Sequence, residues 1–427
     1  MIDIKLLRQD AAGVRGALAR RLDPALDPLL DRLAGLDSRR REALTRTEAL
    51  KASRNLATEE VARRKKARQP ADDLLEDLKR SGEEVKALDA EVRAVEGELE
   101  AILLQVPNLP LPEVPDGDAS GNVVVKEVGG KPEFGFSPRP HWELGARLGL
   151  FDLPRGAKLT GSGFPLFTGA GARLGRALKN FMLDLHTREH GYLEISPPLL
   201  VNRATMTGTG QLPKFEEELY LAAADDLFLI PTAEVPLTNI YRDEILDGAE
   251  LPLGLCAFTP CFRREAGAAG KDTRGLIRVH QFDKVELVRL SRPEESPAEH
   301  EKMTRHAESV LERLDIPYRR VALAAGDTGF ASARTFDLEV WGAGVGTWLE
   351  ASSASSFTDF QARRASIRFR REAGAKPEFV HTLNASGVAF PRTIIALLEN
   401  NQEADGSVRI PPALAPYLGT DRLVPRA

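Results

Sequence analysis

The sequence predicts an α+β protein: an antiparallel sheet flanked by helices, preceded by a long antiparallel two-helix coiled-coil arm. Three observations support this prediction. Residues 26–102 are poor in glycine and rich in charge, residues 107–140 carry seven prolines and five glycines, and the later residues form short strand-like segments with few helices between them. Strands that follow one another without crossover helices are typical of antiparallel sheets. With 427 residues, the chain is long enough for two or three domains.

The arm is predicted from two helical segments on either side of Pro70, because proline breaks a helix interior. The second segment has apolar residues at alternating spacings of three and four, which form a heptad seam that packs along a partner helix. These residues are Val85, Leu88, Val92, Val95, Leu99 and Ile102. The first segment carries a weaker stripe and is the simplest partner. Two antiparallel helices of roughly forty residues each would form a rod of about 60 Å.

The outward face of the first helix is basic. Between Arg39 and Arg68 there are eleven basic residues and four acidic ones. Two interpretations stay open: the solvated surface of a coiled coil, or a strip that binds phosphate groups. The cluster Arg63-Arg64-Lys65-Lys66 beside the turn slightly favours the second interpretation.

We therefore divide the chain into the arm, residues 1–105, a proline- and glycine-rich linker, residues 106–140, and a body, residues 141–427. In the body, residues 172–189 show helical spacing and residues 192–195 are expected to form a strand. Further short strands and helices are expected at residues 227–230, 253–263, 278–290, 318–323, 336–341 and 347–351.

Composition excludes several classes of protein. The net charge of -5 rules out a uniformly basic nucleic-acid binder, although it allows a local basic surface. No apolar run approaches the ~18 residues of a membrane helix, and the first residues lack an apolar signal region. Cys256 and Cys261 are too few for a disulfide framework and show no metal-ligand pattern. We expect a cytoplasmic protein with no membrane partner.

The stretch richest in chemistry is residues 261–286, which we predict to be a hairpin with a glycine-rich charged loop. In its second strand the alternate residues from 278 to 286, which include His280 and Lys284, should share one face. Phe282 and Glu286 would lie about 13 Å apart, which suits an aromatic ring under a base and a carboxylate holding an ammonium group. Arg263 on the neighbouring strand could reach a phosphate between them. The alternative is a polar sheet face with surface ion pairs.

Three further motifs have structural as well as functional interpretations. Thr232 could cap a helix with Pro236 in its first turn, or it could bind a ligand. Glu350 and Ser353 offer oxygen ligands for Mg²⁺, although a serine-rich turn is the simpler interpretation. Arg392 is expected at the start of an apolar helix that follows a turn. The positive N-terminal end of the helix dipole repels an arginine, and a bound phosphate would offset this repulsion.

In this order, the four motifs resemble those of class II aminoacyl-tRNA synthetases, specifically the bacterial-type seryl-tRNA synthetase family. The resemblance lies in GTGQLPKF at 208–215, TAE at 232–234, FRRE at 262–265, RGLIRVHQFDKVE at 274–286, FQARR at 360–364 and RT at 392–393. The basic helical hairpin fits the same family, and the resemblance covers nearly the whole chain. The residues alone predict only a nucleotide and amino-acid site on an antiparallel sheet.

The resemblance implies that the arm binds tRNA and that the body is a catalytic domain with class II motifs 1, 2 and 3. The implied reaction is ATP-dependent activation of L-serine to seryl-adenylate, followed by transfer of serine to the 3′ end of tRNA-Ser. It makes tRNA-Sec a second candidate substrate. It also implies a requirement for Mg²⁺ and a homodimer with Pro198 at the interface.

The resemblance further assigns residues to each step. The catalytic residues are Arg263 and Arg392. The ATP site comprises Arg263, Arg264, Glu265, Val279, Phe282, Glu350, Ala351, Ser352, Ser353 and Arg392, of which Glu350 and Ser353 match the Mg²⁺ ligands. The serine site comprises Thr232, Ala233, Glu234, Glu286 and Ser386. The tRNA-binding residues of the arm are Arg54, Arg63, Arg64, Lys65 and Lys66.

Three positions depart from the family pattern: Ala351 stands where isoleucine is usual, Pro391 where glycine is usual, and Arg264 where a small residue is common. None removes a charged catalytic position, so we expect activity, with the Mg²⁺ assignment the most affected. An amino-acid-activating homologue that loads a carrier protein should lack the basic arm. A non-catalytic paralogue that binds tRNA should have lost Arg263, Glu286 or Arg392, and all are present.

Overall fold

The computed structural model describes residues 1–266 and 274–425, which form two units. Residues 2–19 and 23–106 form a helical unit, and residue 1, residues 20–22 and the chain from residue 107 onward form the body. Most of the glycine-rich loop predicted in the hairpin falls on residues 267–273, which lie outside the described residues. None of the helices in the described ranges combines the length and apolar character that crossing a bilayer requires.

The helical unit is built on two long antiparallel helices. In chain order its helices are α1 (Ile4–Gln9), α2 (Ala11–Ala19), α3 (Leu26–Lys66) and α4 (Asp72–Leu103). All six predicted heptad residues of α4 are buried. Ion pairs join α3 to α4 in reverse order along the chain: Arg32 with Glu98, Arg39 with Glu91, and Arg46 with Glu84. The predicted antiparallel helix pair and the turn around Pro70 are therefore confirmed.

The body contains the remaining helices and strands. In chain order they are β1 (Val123–Val128), α5 (His141–Leu148), α6 (Leu153–Thr160), α7 (Ala170–Asp184), β2 (Leu193–Glu194), β3 (Leu200–Asn202), α8 (Arg203–Thr209), β4 (Leu221–Ala222), β5 (Leu227–Leu229), α9 (Glu234–Asn239), β6 (Ile245–Asp247), β7 (Leu253–Phe262), β8 (Gln281–Ser291), α10 (Ser296–Arg313), β9 (Tyr318–Ala322), β10 (Arg334–Gly342), β11 (Thr347–Ser356), α11 (Phe360–Ala365), β12 (Arg368–Arg370), β13 (Glu378–Phe379), β14 (His381–Ala389), α12 (Phe390–Asn400), β15 (Val408–Arg409), α13 (Ala415–Leu418) and β16 (Arg422–Leu423). The residues after α7, Leu185–Glu189, continue it as a π-helical turn.

Eight strands form one sheet in the order β1-β9-β10-β11-β14-β8-β7-β2. Neighbouring strands are antiparallel except β2 and β7, which are parallel. The main apolar core combines side chains of this sheet, such as Leu338 and Leu383, with Leu178 of α7, Val310 of α10 and Leu397 of α12. The predicted α+β class, with an antiparallel sheet flanked by helices, is confirmed.

Three segments differ from the sequence-based expectation. β1 lies within the predicted linker and pairs with β9 as the edge of the large sheet. The serine-rich residues expected to turn, 352–356, are instead the second half of β11, and the turn expected before α12 is β14. Ala354 of β11 and Ala385 of β14 lie opposite each other and are fully buried. Pairing and burial in the centre of a sheet therefore override the local turn preference of serine, asparagine and glycine.

Candidate active site

Neighbouring strands bring the predicted functional residues together. β8 carries Phe282, Lys284 and Glu286 at alternate positions, and Glu286 lies opposite Ser386 of β14. Arg263 directly follows the last residue of β7, where that strand pairs with the start of β8. Residues far apart in the sequence thus form one continuous polar surface, as alternation in a strand requires.

β8 starts later than predicted, so the predicted shared face does not extend to His280. The His280 carbonyl still accepts from the Arg263 amide, but its own amide donates to the carbonyl oxygen of Gly163, so the pairing with β7 ends at this residue. Its ring packs against Phe164, with 5.2 Å between ring centroids. Arg278 also precedes the strand, and it forms an ion pair of 2.7 Å with Glu265.

A cavity of about 300 Å³ opens above this surface. Eight of the predicted residues line it: Arg263, Glu265, Val279, Phe282, Glu350, Ala351, Ser386 and Arg392. The other lining residues are Leu276, Ile277, Arg278, Lys284, Ala389 and Pro391. Cations, one aromatic ring and small residues therefore meet at a single concave site, which is the combination that a nucleoside phosphate requires.

Arg263 and Phe282 form the aromatic end of the cavity. The guanidinium carbon of Arg263 lies 5.2 Å from the centroid of the Phe282 ring, within cation–π range. Arg263 Nε donates to the carbonyl oxygen of Pro231 at 3.3 Å, which restrains the guanidinium group. An aromatic face and a restrained cation are thus available side by side.

Arg392 provides a second cation at the N-terminal turn of α12. It is the third residue of this helix, and Pro391 occupies the position before it, so proline is compatible with the first turn. Arg392 donates to the carbonyl oxygen of Glu350 at 2.7 Å, and it lies 3.3 Å from a carboxylate oxygen of Glu350. A positive side chain at a positive helix end is suited to an anion.

A buried acidic network lies beside the cavity. Thr232 donates to Glu286 at 2.9 Å, and Lys284 forms an ion pair with the same carboxylate. Asn384 donates to both Glu234 and Glu286, at 2.8 and 3.2 Å. Because Glu286 is fully buried, these partners offset the cost of removing its charge from water.

Glu234 is a second buried carboxylate of this network, and its pKa is raised by burial. Gln361 donates to it at 2.6 Å. Burial and the nearby charge of Glu286 raise the pKa of Glu234 to about 7, and the hydrogen bond from Gln361 opposes this rise. The serine-site candidates Glu234 and Glu286 therefore share one network in which a further cationic group would be stabilised.

Thr232 fits the predicted capping interpretation and also contacts a carboxylate of the candidate site. Its hydroxyl accepts from the backbone amide of Glu234 at 3.3 Å at the start of α9, while it donates to Glu286. Ala233, at the cap position of α9, is fully buried among apolar side chains, so it shapes this wall without offering a polar group.

Ser352 and Ser353 have different environments: Ser352 contacts β14, whereas Ser353 lines a second cavity. Ser352 is buried and donates to the carbonyl oxygen of Ser386 at 2.6 Å. Ser353 lies opposite Asp337 and lines a neighbouring cavity of about 340 Å³, which Glu350 also lines. Burial and the charge of Glu350 raise the pKa of Asp337 well above its usual range. In the part of the chain that the structure describes, no three His, Cys, Asp or Glu residues are grouped to hold a metal.

Some sequence-based assignments were incomplete. Arg264 does not line the cavity, because its guanidinium donates to the carbonyl oxygen of Glu217 at 3.0 Å. Strand alternation placed Lys284 on the face of Phe282 and Glu286, but no role was assigned to it. Asn384 and Gln361 were not predicted: Asn384 alternates with Ser386 on β14, so alternation could have indicated it, whereas Gln361 reaches Glu234 from a helix.

The basic face of α3 divides into two parts. In the middle of the helix, four basic residues are paired with acids of α4: Arg39, Arg40, Arg46 and Lys51. At its end, Arg63 and Arg64 contact Glu60 of the same helix, and Arg64 also contacts Asp73. Lys65 and Lys66 are exposed, and Arg54 is half-buried. The coiled-coil interpretation thus accounts for the first part, and the exposed cluster at the end of α3 remains a candidate phosphate-binding strip.

Comparison with known proteins identifies the family. Residues 215–401 match the model of the tRNA synthetase class II core domain (G, H, P, S and T), and residues 1–110 match that of the seryl-tRNA synthetase N-terminal domain. A serine--tRNA ligase of Gemmatimonas aurantiaca is 56% identical over 420 residues, which cover 98% of this chain and 99% of that protein. The chain belongs to the seryl-tRNA synthetase family. This synthetase accordingly ligates serine to tRNA with ATP as a substrate.

Solved structures agree with this assignment. A seryl-tRNA synthetase from Pyrococcus horikoshii, complexed with ATP, superposes on this synthetase with a TM-score of 0.96, at 39% identity and full coverage of both chains. A cytoplasmic serine-tRNA ligase from Naegleria fowleri, in complex with AMP, gives a TM-score of 0.90 at 29% identity, covering 100% of this chain and 99% of that one. The predicted family is confirmed.

Proposed function

We propose that the 300 Å³ cavity binds ATP with its adenine on Phe282, its α-phosphate at Arg263 and its outer phosphates at Arg392. The observation that carries this proposal is that one cavity holds both arginines and the aromatic ring. Glu265 and Val279 complete its lining. We omit Arg264 from the ATP contacts because its guanidinium is engaged elsewhere.

The buried network next to the cavity is the proposed serine site. Glu286 and Glu234 would hold the ammonium group, while Thr232 and Ser386 offer hydroxyl groups on the same side. A pocket built to hydrogen-bond a hydroxyl group rejects alanine strongly, because its buried polar groups would be left unpaired. Threonine differs by one methyl group, worth roughly 1–3 kcal/mol, so it is the difficult competitor.

The chemistry needs no nucleophile from the enzyme. The serine carboxylate attacks the α-phosphorus, a phosphorus–oxygen bond forms, and pyrophosphate leaves with the electrons of the broken bond. The ribose hydroxyl at the 3′ end of tRNA then attacks the carbonyl carbon and releases AMP. Arg263 and Arg392 would stabilise the phosphoryl charge that develops in the first step, so catalysis consists of positioning and electrostatics.

Mg²⁺ is proposed at Glu350 and Ser353, which line a common cavity. A carboxylate and a hydroxyl oxygen suit this cation, which commonly takes one or two protein carboxylates and fills the rest of its shell with phosphate and water oxygens. When bound, Mg²⁺ would neutralise phosphate charge. Ala351, fully buried in the apolar core, supports the backbone between the two ligands.

The arm, residues 1–105, is the proposed tRNA-binding domain. The basic strip of Arg54, Arg63, Arg64, Lys65 and Lys66 would contact the phosphates of tRNA-Ser, with tRNA-Sec as a second candidate. We further propose a homodimer with Pro198 at its interface, acting in the cytoplasm, where the two free cysteines would stay reduced.

Two assays test this assignment together. Serine-dependent exchange of pyrophosphate into ATP measures adenylate formation, and aminoacylation of tRNA-Ser measures transfer. We expect both activities, and we expect alanine to support neither. Exchange without aminoacylation would contradict the role of the helical unit and would favour a carrier-loading enzyme. Failure of exchange, with tRNA binding intact, would favour a non-catalytic tRNA-binding protein.

A further inference from the structure

A buried chain of hydrogen bonds links one wall of the ATP cavity to the C-terminal part of α12. His141, the first residue of α5, and Glu399 of α12 are both fully buried. His141 Nδ1 lies 2.7 Å from Glu399 Oε1, and His141 Nε2 accepts a hydrogen bond of 2.9 Å from the Leu276 amide. Leu276 lines the cavity, whereas His141 does not.

The hydrogen-bond partners define which nitrogen of His141 carries the proton. Since Nε2 accepts from an amide, the proton is on Nδ1 and is donated to Glu399. Glu399 also accepts from the backbone amides of His141, Gly344 and Val345, at 2.7, 2.8 and 3.0 Å. Four donors converge on one carboxylate, so the imidazole is held in a fixed orientation.

The segment that this imidazole holds forms part of the cavity wall. Residues 276–279 all line the cavity, and they belong to neither a helix nor a strand. Their position therefore depends on individual contacts rather than on a ladder of hydrogen bonds. The other end of the link is α12, which also presents Arg392, seven residues or about 10 Å before Glu399.

We propose that His141 is a positioning residue for ATP: together with Glu399 it fixes the cavity wall of residues 276–279 relative to Arg392. This inference rests on the proposed assignment of the cavity to ATP. His141 contributes by orienting the Leu276 amide and the residues that follow it. The expected consequence is a selective effect on ATP and not on serine, because the network of Glu234 and Glu286 shares none of these hydrogen bonds.

Close packing at Gly275 supports this role. A Cβ atom at this position would lie 2.2 Å from His141 Nε2, and the φ angle of +71° belongs to the left-handed region that disfavours other residues. Any side chain at residue 275 would therefore displace the imidazole from the Leu276 amide. Gly275→Ala is a second way to break the same link without changing His141.

The test is the kinetics of serine-dependent pyrophosphate exchange. His141→Phe keeps a ring but removes both hydrogen bonds, and it should raise the KM for ATP about tenfold, because a buried amide is left unpaired. The KM for serine should stay within about twofold. Gly275→Ala should give the same pattern. His141→Gln, whose side-chain oxygen can accept from the Leu276 amide, should recover part of the affinity for ATP.

His300→Phe is the matched control. His300 is also buried and hydrogen-bonds a carbonyl oxygen, that of Ala354, at 3.0 Å, but it lies outside the cavity lining. The substitution His300→Phe should lower the Tm and leave the KM values for ATP and serine unchanged.

Unchanged or equally raised KM values in His141→Phe and in Gly275→Ala would overturn the proposal and leave His141 a structural residue. If His141→Phe does not fold, Gly275→Ala decides alone. Lack of saturable ATP use by the unmodified protein would instead refute the proposed function.

Discussion

The two units use charge in opposite ways. In the helical unit, Arg63 leaves 70% of its side chain exposed and pairs with Glu60 one turn away. In the body, Glu286 is fully buried and contacts Thr232 and Lys284. Exposed pairs contribute little and are screened by salt, whereas breaking a buried pair is costly. The exposed charges at the end of α3 should therefore act additively and depend on salt, while the loss of a buried charge such as Glu286 should have a large effect by itself.

The largest effect is expected from Arg392→Ala. Loss of a cation aimed at developing phosphoryl charge typically reduces the rate about 100- to 1,000-fold. Pyrophosphate exchange should fall by this factor, while the affinity for tRNA-Ser, measured by filter binding, should stay within about twofold. A parallel loss of tRNA affinity would contradict the proposal that the body forms the adenylate and the helical unit binds tRNA.

Glu286→Gln should have the next largest effect. The variant leaves the buried ammonium of Lys284 without its charge partner, so the KM for serine should rise about 100-fold and the Tm should fall. Glu294→Gln removes an exposed ion-pair partner of Arg371 and is the matched control, with little change expected in either quantity. Equal effects of the two variants would remove the contrast between buried and exposed charge.

Neutralising the end of α3 should give a smaller, salt-dependent effect. Replacing Arg63, Arg64, Lys65 and Lys66 by glutamine should weaken tRNA binding about tenfold at physiological salt. The slope of log K against log salt should fall by about 3, since each phosphate contact contributes about 0.7–0.9. Pyrophosphate exchange should be unchanged.

The paired basic residues of α3 provide the control for this variant. Glutamine at Arg39, Arg40, Arg46 and Lys51 removes the same formal charge from residues that contact acids of α4. This set should change the salt slope less than the set at the end of α3. A larger change would show that tRNA binds along the paired part of the helix instead.

The same comparison explains how much could be predicted from the sequence. The helix pair follows from a heptad pattern, which is local and repeats along α4, so it was predicted almost completely. β14 and the second half of β11 were missed because their small residues, such as Ala385 and Ala354, become strand residues only through burial against each other. Non-local pairing leaves no periodic signal in either segment.

The site residues also fall into two groups, those that local strand alternation predicts and those that only the tertiary fold brings together. Alternation along one strand correctly placed Phe282 and Glu286 on a shared face. Gln361 was missed because it lies 127 positions from Glu234, and only the tertiary fold brings the amide to that carboxylate. The partners of the basic residues on α3 were missed for the same reason, since the acids that pair with them lie on another helix.

The smallest predicted effect concerns the pH dependence of Glu234. Its pKa of about 7 lies above the ordinary value of 4.5, because burial and Glu286 disfavour the charged form. Between these two pH values the folded state keeps a proton that the unfolded state has lost, so the contribution of Glu234 to stability falls as pH rises and levels off above about 7. Serine affinity should change in the opposite direction, since an ammonium group binds the carboxylate. The KM for serine should be about threefold higher at pH 6.5 than at pH 7.5. Glu234→Gln should remove both dependences, and a dependence that persists in this variant would assign the titration to another group.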